Sequence, residues 1–275
     1  MTCCIAALSR DAIVLVSDKM IGSSLIQGEP QGLLKMARIH KDWWALFAGR
    51  VDLPGDFTDR FRKAFPPGAL SLSNVDAYLS TTMTEKWLSD TERRYLLPEG
   101  YDSARFRDEA PKKMTDAVYQ EVRDNRNAYD LDAAIVVAGF DGEGTGHILS
   151  CYGYDDIDHK KFVPANHDMT GYYAIGTGAA TAMWMMSYKD VGPQMKTPAV
   201  AFYAVEGKYY AELGQGVGEC TDLIVIRHCR PALLYNTRLV DKVFIPIAKK
   251  LRPRKLTRKQ RRKINRVKTT TSDGW

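Results

Sequence analysis

An apolar, strand-like run begins almost directly behind Met1. The chain opens MTCCIAALSRDAIVLVSDKM. Residues 3–9 and 12–17 are two apolar stretches, with Arg10 and Asp11 between them. A terminus that is apolar from its second or third residue has to be tied down against a core. Two such runs around a short polar break read as a β-hairpin. With the turn centred on Arg10, Thr2 falls beside Asp18. A carboxylate is then expected next to the residue that becomes first when Met1 is removed. That residue would carry a hydroxyl nucleophile and a free amine base together. The plainer reading of the same residues is a buried strand start with no chemistry.

A second hairpin follows the turn-rich stretch GSSLIQGEPQG. Its strands are KMARIH (35–40) and WWALFAG (43–49), turning near Lys41. This register places Lys35 opposite Phe47 and near Gly49. Two hairpins thus bring Thr2, Asp18, Lys35 and Gly49 to strand ends, although periodicity does not supply the sheet order that would join them. Amphipathic spacing predicts helices over 56–65 and 73–95 and a charged helical stretch over 104–126. Strands are expected at 132–141 and 147–153, joined by GEGTG. YYAIGTGAATAMWMMSY reads as strand, glycine turn and helix. Thr197-Pro198 reads as an N-cap and first helical residue of a helix running to about Leu213. TDLIVIRH (221–228) is the last strand of the body. Strands and helices are segregated, and the strands are apolar on both parities, as in sheets covered on both faces. The expected class is α+β, two mainly antiparallel sheets sandwiched by helices.

With 275 residues, 45% hydrophobic and 26% charged, the chain has an ordinary globular balance. No apolar run reaches the ~18–20 residues of a membrane span. The start lacks the charged, apolar and cleavage regions of a secretory signal. The five cysteines, Cys3, Cys4, Cys151, Cys220 and Cys229, form no CxxC pair. Most of them read as buried thiols of a cytoplasmic protein, with no metal and no cofactor implied. Charge divides the chain. Residues 249–275 hold 12 Lys or Arg against one acid, a net of +11, while the remaining 27 basic and 32 acidic residues give −5. A body over 1–248 and a basic tail over 249–275 follow. The tail is expected to be a solvated extension or an arm for a polyanion or a companion protein. It lacks the interleaved aromatics of a base-stacking surface.

TCCIAALSRDAIVLVSDKM, KMARIHKDWWALFAG, LDAAIVVAGFDGEGTGHILSCYG and YYAIGTGAATA, in this order and spacing, resemble the proteasome β-subunit family, closest to its bacterial proteasome-like members. The resemblance covers most of Thr2 to about His228. It implies an αββα four-layer sandwich, the N-terminal-nucleophile hydrolase fold, and threonine-type peptidase activity in a homo-oligomeric ring, with a protein or peptide substrate and an unfoldase among its candidate partners. It implies Thr2 as nucleophile, Asp18 and Lys35 as the charged pair beside it, and the Gly49 N–H as oxyanion donor. Gly178 and Ala179 stand where the family has a Gly-Ser pair supporting the nucleophile's amine. LGQGVGECTD stands in place of an Asp-x-x-Ser-Gly-Gly element. The helical region at about 90–126 is longer than the family's helical pair. Competing expectations are an inactive structural subunit, an amidase of the same nucleophile class acting on a small molecule, and a nucleic-acid binder working through the tail.

Overall fold

The computed structural model describes residues 2–19, 21–22, 27–28, 35–50, 52–65, 68–152, 162–213, 217–235, 237–251 and 270–271. The first hairpin is β1 (Cys4–Leu8) and β2 (Ile13–Asp18), every residue of both buried. Its turn holds two residues, Arg10 and Asp11, because the Ser9 N–H and hydroxyl both donate to the Ala12 carbonyl at 2.8 and 2.7 Å. Cys4 therefore pairs with Ser17. This corrects the expected register by one residue, so Asp18 lies opposite Cys3 rather than Thr2. A short ribbon, β3 (Ile21–Gly22) and β4 (Gln27–Gly28), follows. The second hairpin is β5 (Met36–His40) and β6 (Trp43–Gly49), in the expected register, with Met36 opposite Leu46.

Helices α1 (Leu53–Ala64) and α2 (Leu72–Thr91) come next. The Ser71 side chain caps α2 by accepting the Asn74 N–H. In place of one helix over 104–126 there are three: α3 (Ser103–Asp108), α4 (Ala110–Lys113) and α5 (Asp116–Asn127). Two features divide the stretch. Pro111 lies at the start of α4, and Thr115 is extended before α5. A π-helical turn (Glu92–Leu96) and a 3-10 turn (Leu97–Glu99) join this helical group to α2. It has a small core of its own, Leu96, Phe106 and Ala110 with Tyr101, Tyr119 and Val122 around them.

The chain returns through β7 (Ala133–Phe140), β8 (Gly146–Tyr152), β9 (Ala165–Asn166) and β10 (Tyr172–Ile175). Helix α6 (Ala179–Tyr188) follows, then α7 (Thr197–Ala211), whose cap position is Lys196 rather than Thr197. Thr197 instead donates its hydroxyl to Asp11. After β11 (Thr221–Arg227) come β12 (Arg230–Tyr235), α8 (Thr237–Leu251) and β13 (Thr270–Thr271). Val240, Phe244, Ile247 and Ala248 form the buried face of α8, which crosses the body–tail boundary expected at 248. The polyanion-binding role expected of the tail falls mainly on 252–269 and 272–275, outside the described residues.

Two antiparallel sheets result, ordered β10-β1-β2-β11-β12-β13 and β5-β6-β7-β8-β9. Their side chains sort by parity into three cores. Cys3, Ile5, Ala7, Val14 and Val16 pack under α6, α7 and α8. Ala45, Phe47, Ile135 and Val137 pack under α1 and α2 with Phe57, Phe61 and Trp87. Cys4, Ala6, Leu15, Leu46, Val136 and Ile148 meet between the sheets. The class is α+β, and the packing is compatible with a sandwich. Each large side chain buried in this way contributes about 1.5–3 kcal/mol.

The far end of the second sheet is closed by a titratable clamp. The His147 imidazole lies between Asp168 (Nδ1 to Oδ2, 2.6 Å) and Asp141 (Nε2 to Oδ2, 3.2 Å). The hydrogen bond to Asp168 holds its pKa above the usual histidine value despite burial. Burial pushes both carboxyls up, but hydrogen bonds from His147 and from backbone N–H groups outweigh it and hold both below their usual range. The histidine contribution is complete below about pH 6.5 and is lost as pH rises through the raised value. The carboxylate contributions are complete above about pH 4 and are lost as pH falls through the lowered values. The drop in melting temperature from pH 6 to pH 8 should therefore be larger in the wild type than in His147→Gln. Equal drops would show that the clamp does not titrate.

Candidate active site

The end of the molecule where β1 begins and β2 ends holds Thr2 against Gly178 and, one residue on, the Asp18–Lys35 pair. Thr2 is buried, 7% exposed. Its carbonyl accepts the Gly178 N–H at 3.1 Å and the Thr177 hydroxyl at 3.4 Å. Its nitrogen lies 3.2 Å from Thr177 Oγ1 and donates to it. The turn from β10 into α6 makes these contacts. It passes so close that a Cβ on Gly176 would fall 2.2 Å from the Thr2 carbonyl oxygen, and Gly176 has φ +93. Only glycine tolerates both conditions.

The Asp18 side chain is fully buried, and Lys35 is 10% exposed. Lys35 Nζ lies 2.9 Å from each carboxylate oxygen of Asp18. The carboxylate also accepts the Cys3 N–H at Oδ1 (2.8 Å) and the Gly218 N–H at Oδ2 (3.1 Å). An ion pair taken out of water persists only when the remaining lone pairs are satisfied, and the two N–H donors contribute to that here. Asp18 thus joins three elements: the residue after Thr2, the chain entering β5, and the chain entering β11. Lys19 does not compete for it, since it pairs with Asp222 at 3.1 Å.

Lys35 belongs to the second sheet, where its carbonyl accepts the Phe47 N–H at 2.9 Å. The sheets touch again close by, where the Cys4 thiol donates to the Phe47 carbonyl at 3.6 Å. Two residues further on, Gly49 ends β6 with φ +92, and a Cβ there would lie 2.0 Å from the Asp132 carbonyl oxygen. Arg50 locks this bend. Its N–H donates to Asp132 O (3.1 Å), and its guanidinium donates to Asp52 (2.6 Å), Tyr129 (3.1 Å) and Asp90.

The thiols are poor candidates for the nucleophile. Burial, followed by the Asp18 charge, pushes Cys3 up to about 12, and burial pushes Cys4 well above its usual value. Neither forms a thiolate at neutral pH. Among the described residues no group of three or more His, Cys, Asp or Glu is placed to hold a metal ion, and no helix is long and apolar enough to cross a membrane.

Sequence reasoning missed two participants. Gly178 and Ala179 carry no hydroxyl, but Thr177, one residue earlier, places one at the Thr2 nitrogen. The signal was present as the threonine between the glycines of IGTGAA. The second is Gly218 in QGVGECTD, whose contribution is a main-chain N–H and leaves no side-chain signature. Comparison with known protein families and with curated proteins finds no match for the chain.

Proposed function

We propose that this chain is a threonine-type peptidase with the N-terminal-nucleophile hydrolase fold, in which removal of Met1 frees Thr2 as the nucleophile. One observation carries the reading. A buried Lys35–Asp18 pair is docked on the residue next to Thr2, while a hydroxyl from Thr177 meets the Thr2 nitrogen. A free α-amine ordinarily titrates at about 7.7–8.0, so part of it is neutral near pH 7 and can take a proton. In the proposed reaction the amine accepts the Thr2 Oγ proton, directly or through water, as Oγ attacks the peptide carbonyl. The Lys35 ammonium favours the anionic character developing on Oγ, and Asp18 keeps that cation oriented. The Gly49 N–H receives the oxyanion; removing one such donor elsewhere costs roughly 3–4 kcal/mol. Collapse of the tetrahedral intermediate transfers the proton to the departing amine and leaves an ester on Thr2. Water, activated by the same amine, then hydrolyses the ester.

Assembly belongs to the proposal. Trp184 and Tyr188, 64% and 55% exposed, stack on each other on the outer face of α6, an apolar surface that suits a neighbouring copy in a closed ring. Such a ring would enclose Thr2 in a cytoplasmic chamber. The alternative of an inactive structural subunit rested on missing supporting groups. Thr177 supplies a hydroxyl at the Thr2 nitrogen, which favours activity.

The direct test is covalent capture. Protein treated with a peptide β-lactone or epoxyketone should gain one adduct per chain, on a peptide that begins at Thr2. Retained Met1, or an adduct at any other residue, would overturn the reading.

A further inference from the structure

Helix α7 buries a lysine completely. Lys208 is 0% exposed, and its ammonium has four oxygens around it: Glu212 Oε1 at 2.5 Å, and the carbonyls of Gly218, Glu219 and Cys220 at 2.5, 2.9 and 3.2 Å. A buried cation is stable only when its donors are satisfied, and an ammonium has three of them. The arrangement also acts on the backbone. Three successive carbonyls do not turn towards one point in extended chain; a cation at their focus holds them there. The N–H of Gly218, the first residue of the three, reaches Asp18 Oδ2 at 3.1 Å. One residue beyond them, Thr221 begins β11 opposite Asp18.

We infer that Lys208 is a positioning residue for the active site: its ammonium gathers residues 218–220 and so fixes the Gly218 N–H on the Asp18 carboxylate that orients Lys35. The catalytic part of this inference rests on the peptidase reading above. Lys208 acts through Gly218 and Asp18 and contacts no reacting atom. A lysine that merely fastened α7 to the next strand would lower stability when lost and leave the chemistry of the folded protein intact. A positioning lysine lowers the rate of the folded enzyme.

The test compares full-length wild type, Lys208→Met and Gly218→Pro. Gly218→Pro removes the N–H donor and keeps the lysine. Three quantities are measured: the Thr2 labelling rate by a peptide β-lactone, kcat and KM on a fluorogenic peptide, and, for the two proteins that keep the amide, hydrogen exchange at Gly218. Both variants should lose about tenfold or more in kcat and labelling rate, with KM within about twofold, and Gly218 should exchange faster in Lys208→Met. The double variant should be little worse than either single one, because the two changes break one linkage. Lys208→Met that folds and labels Thr2 within about twofold of wild type would overturn the inference. So would unchanged Gly218 exchange. Should Lys208→Met fail to fold, Gly218→Pro decides: a wild-type rate overturns the inference, a tenfold loss supports it. Failure of the peptidase reading looks different. The wild type would then leave Thr2 unlabelled, while faster Gly218 exchange in Lys208→Met would still show that the lysine sets the Asp18 contact.

Discussion

Thr2→Ala is expected to lower peptide hydrolysis by about 10⁴- to 10⁶-fold, the range seen when one member is removed from a machinery acting as one unit. Its melting temperature should stay within about 2 °C of wild type. The reason for the split lies in how Thr2 is held. The contacts fastening it to the β10–α6 turn go through its main chain, with the carbonyl taking the Gly178 N–H and the Thr177 hydroxyl. Alanine keeps those contacts. Thr2→Ser keeps the hydroxyl and should retain measurable turnover. Fluorogenic peptide turnover and thermal melts on the three proteins check this. More than about a tenth of wild-type activity in Thr2→Ala would remove Thr2 from the mechanism.

The second large effect concerns the Lys35–Asp18 pair, whose two halves should fail differently. Asp18→Ala strips a nearly buried cation of its carboxylate and leaves the Cys3 and Gly218 N–H groups without their acceptor. Removing one partner of a buried pair costs about 3–5 kcal/mol. For a chain of this size that lowers the melting temperature by about 10 °C. Lys35→Met leaves Asp18 with two N–H donors and replaces a stem of similar length, so it should melt closer to wild type while losing turnover as severely as Asp18→Ala. The double variant should be more stable than Asp18→Ala alone and no less active than either single one. Denaturant melts and turnover on the four proteins give the coupling directly. Additive losses in both quantities would mean that the residues do not act together.

The parts of this site that were legible in the sequence are those written in side chains and local period. Apolar runs on both parities identified the strands of the two hairpins. The second hairpin's register was readable because its turn sits at Lys41-Asp42, so Lys35 was placed opposite Phe47 correctly. The first register was misjudged by one residue. Arg10 alone gives no hint that Ser9 closes a two-residue turn by bonding Ala12 twice, and a slip of one exchanges which neighbour a residue faces. Even so, Asp18 reached the right neighbourhood, because Cys3 presents its main-chain N–H to that carboxylate. The Gly218 N–H, which works through the main chain, leaves no mark in the sequence. Lys208 was equally hidden: a lysine in GKYY gives no sign that it is buried until the chain at 218–220 folds over it. Helix α8 is hidden for a different reason. Its apolar positions 240, 244, 247 and 248 have helical spacing, but they run directly into the dense charge of the tail.

The helical group between α2 and β7 differs in kind from the layers it is attached to. Three fully or nearly buried side chains form its centre, and Glu92 holds its first turn by accepting the Ser103 N–H at 3.0 Å and hydroxyl at 2.6 Å. The sheets, by contrast, share the three larger cores. A unit with so little private burial opens at far lower free energy than strands buried on both faces. It is expected to melt and reform as a separate cooperative unit while the sheets keep their hydrogen bonds. Nicking by protease, or a change of length during divergence, is therefore absorbed there before it reaches the strand ends that carry Thr2, Asp18 and Lys35.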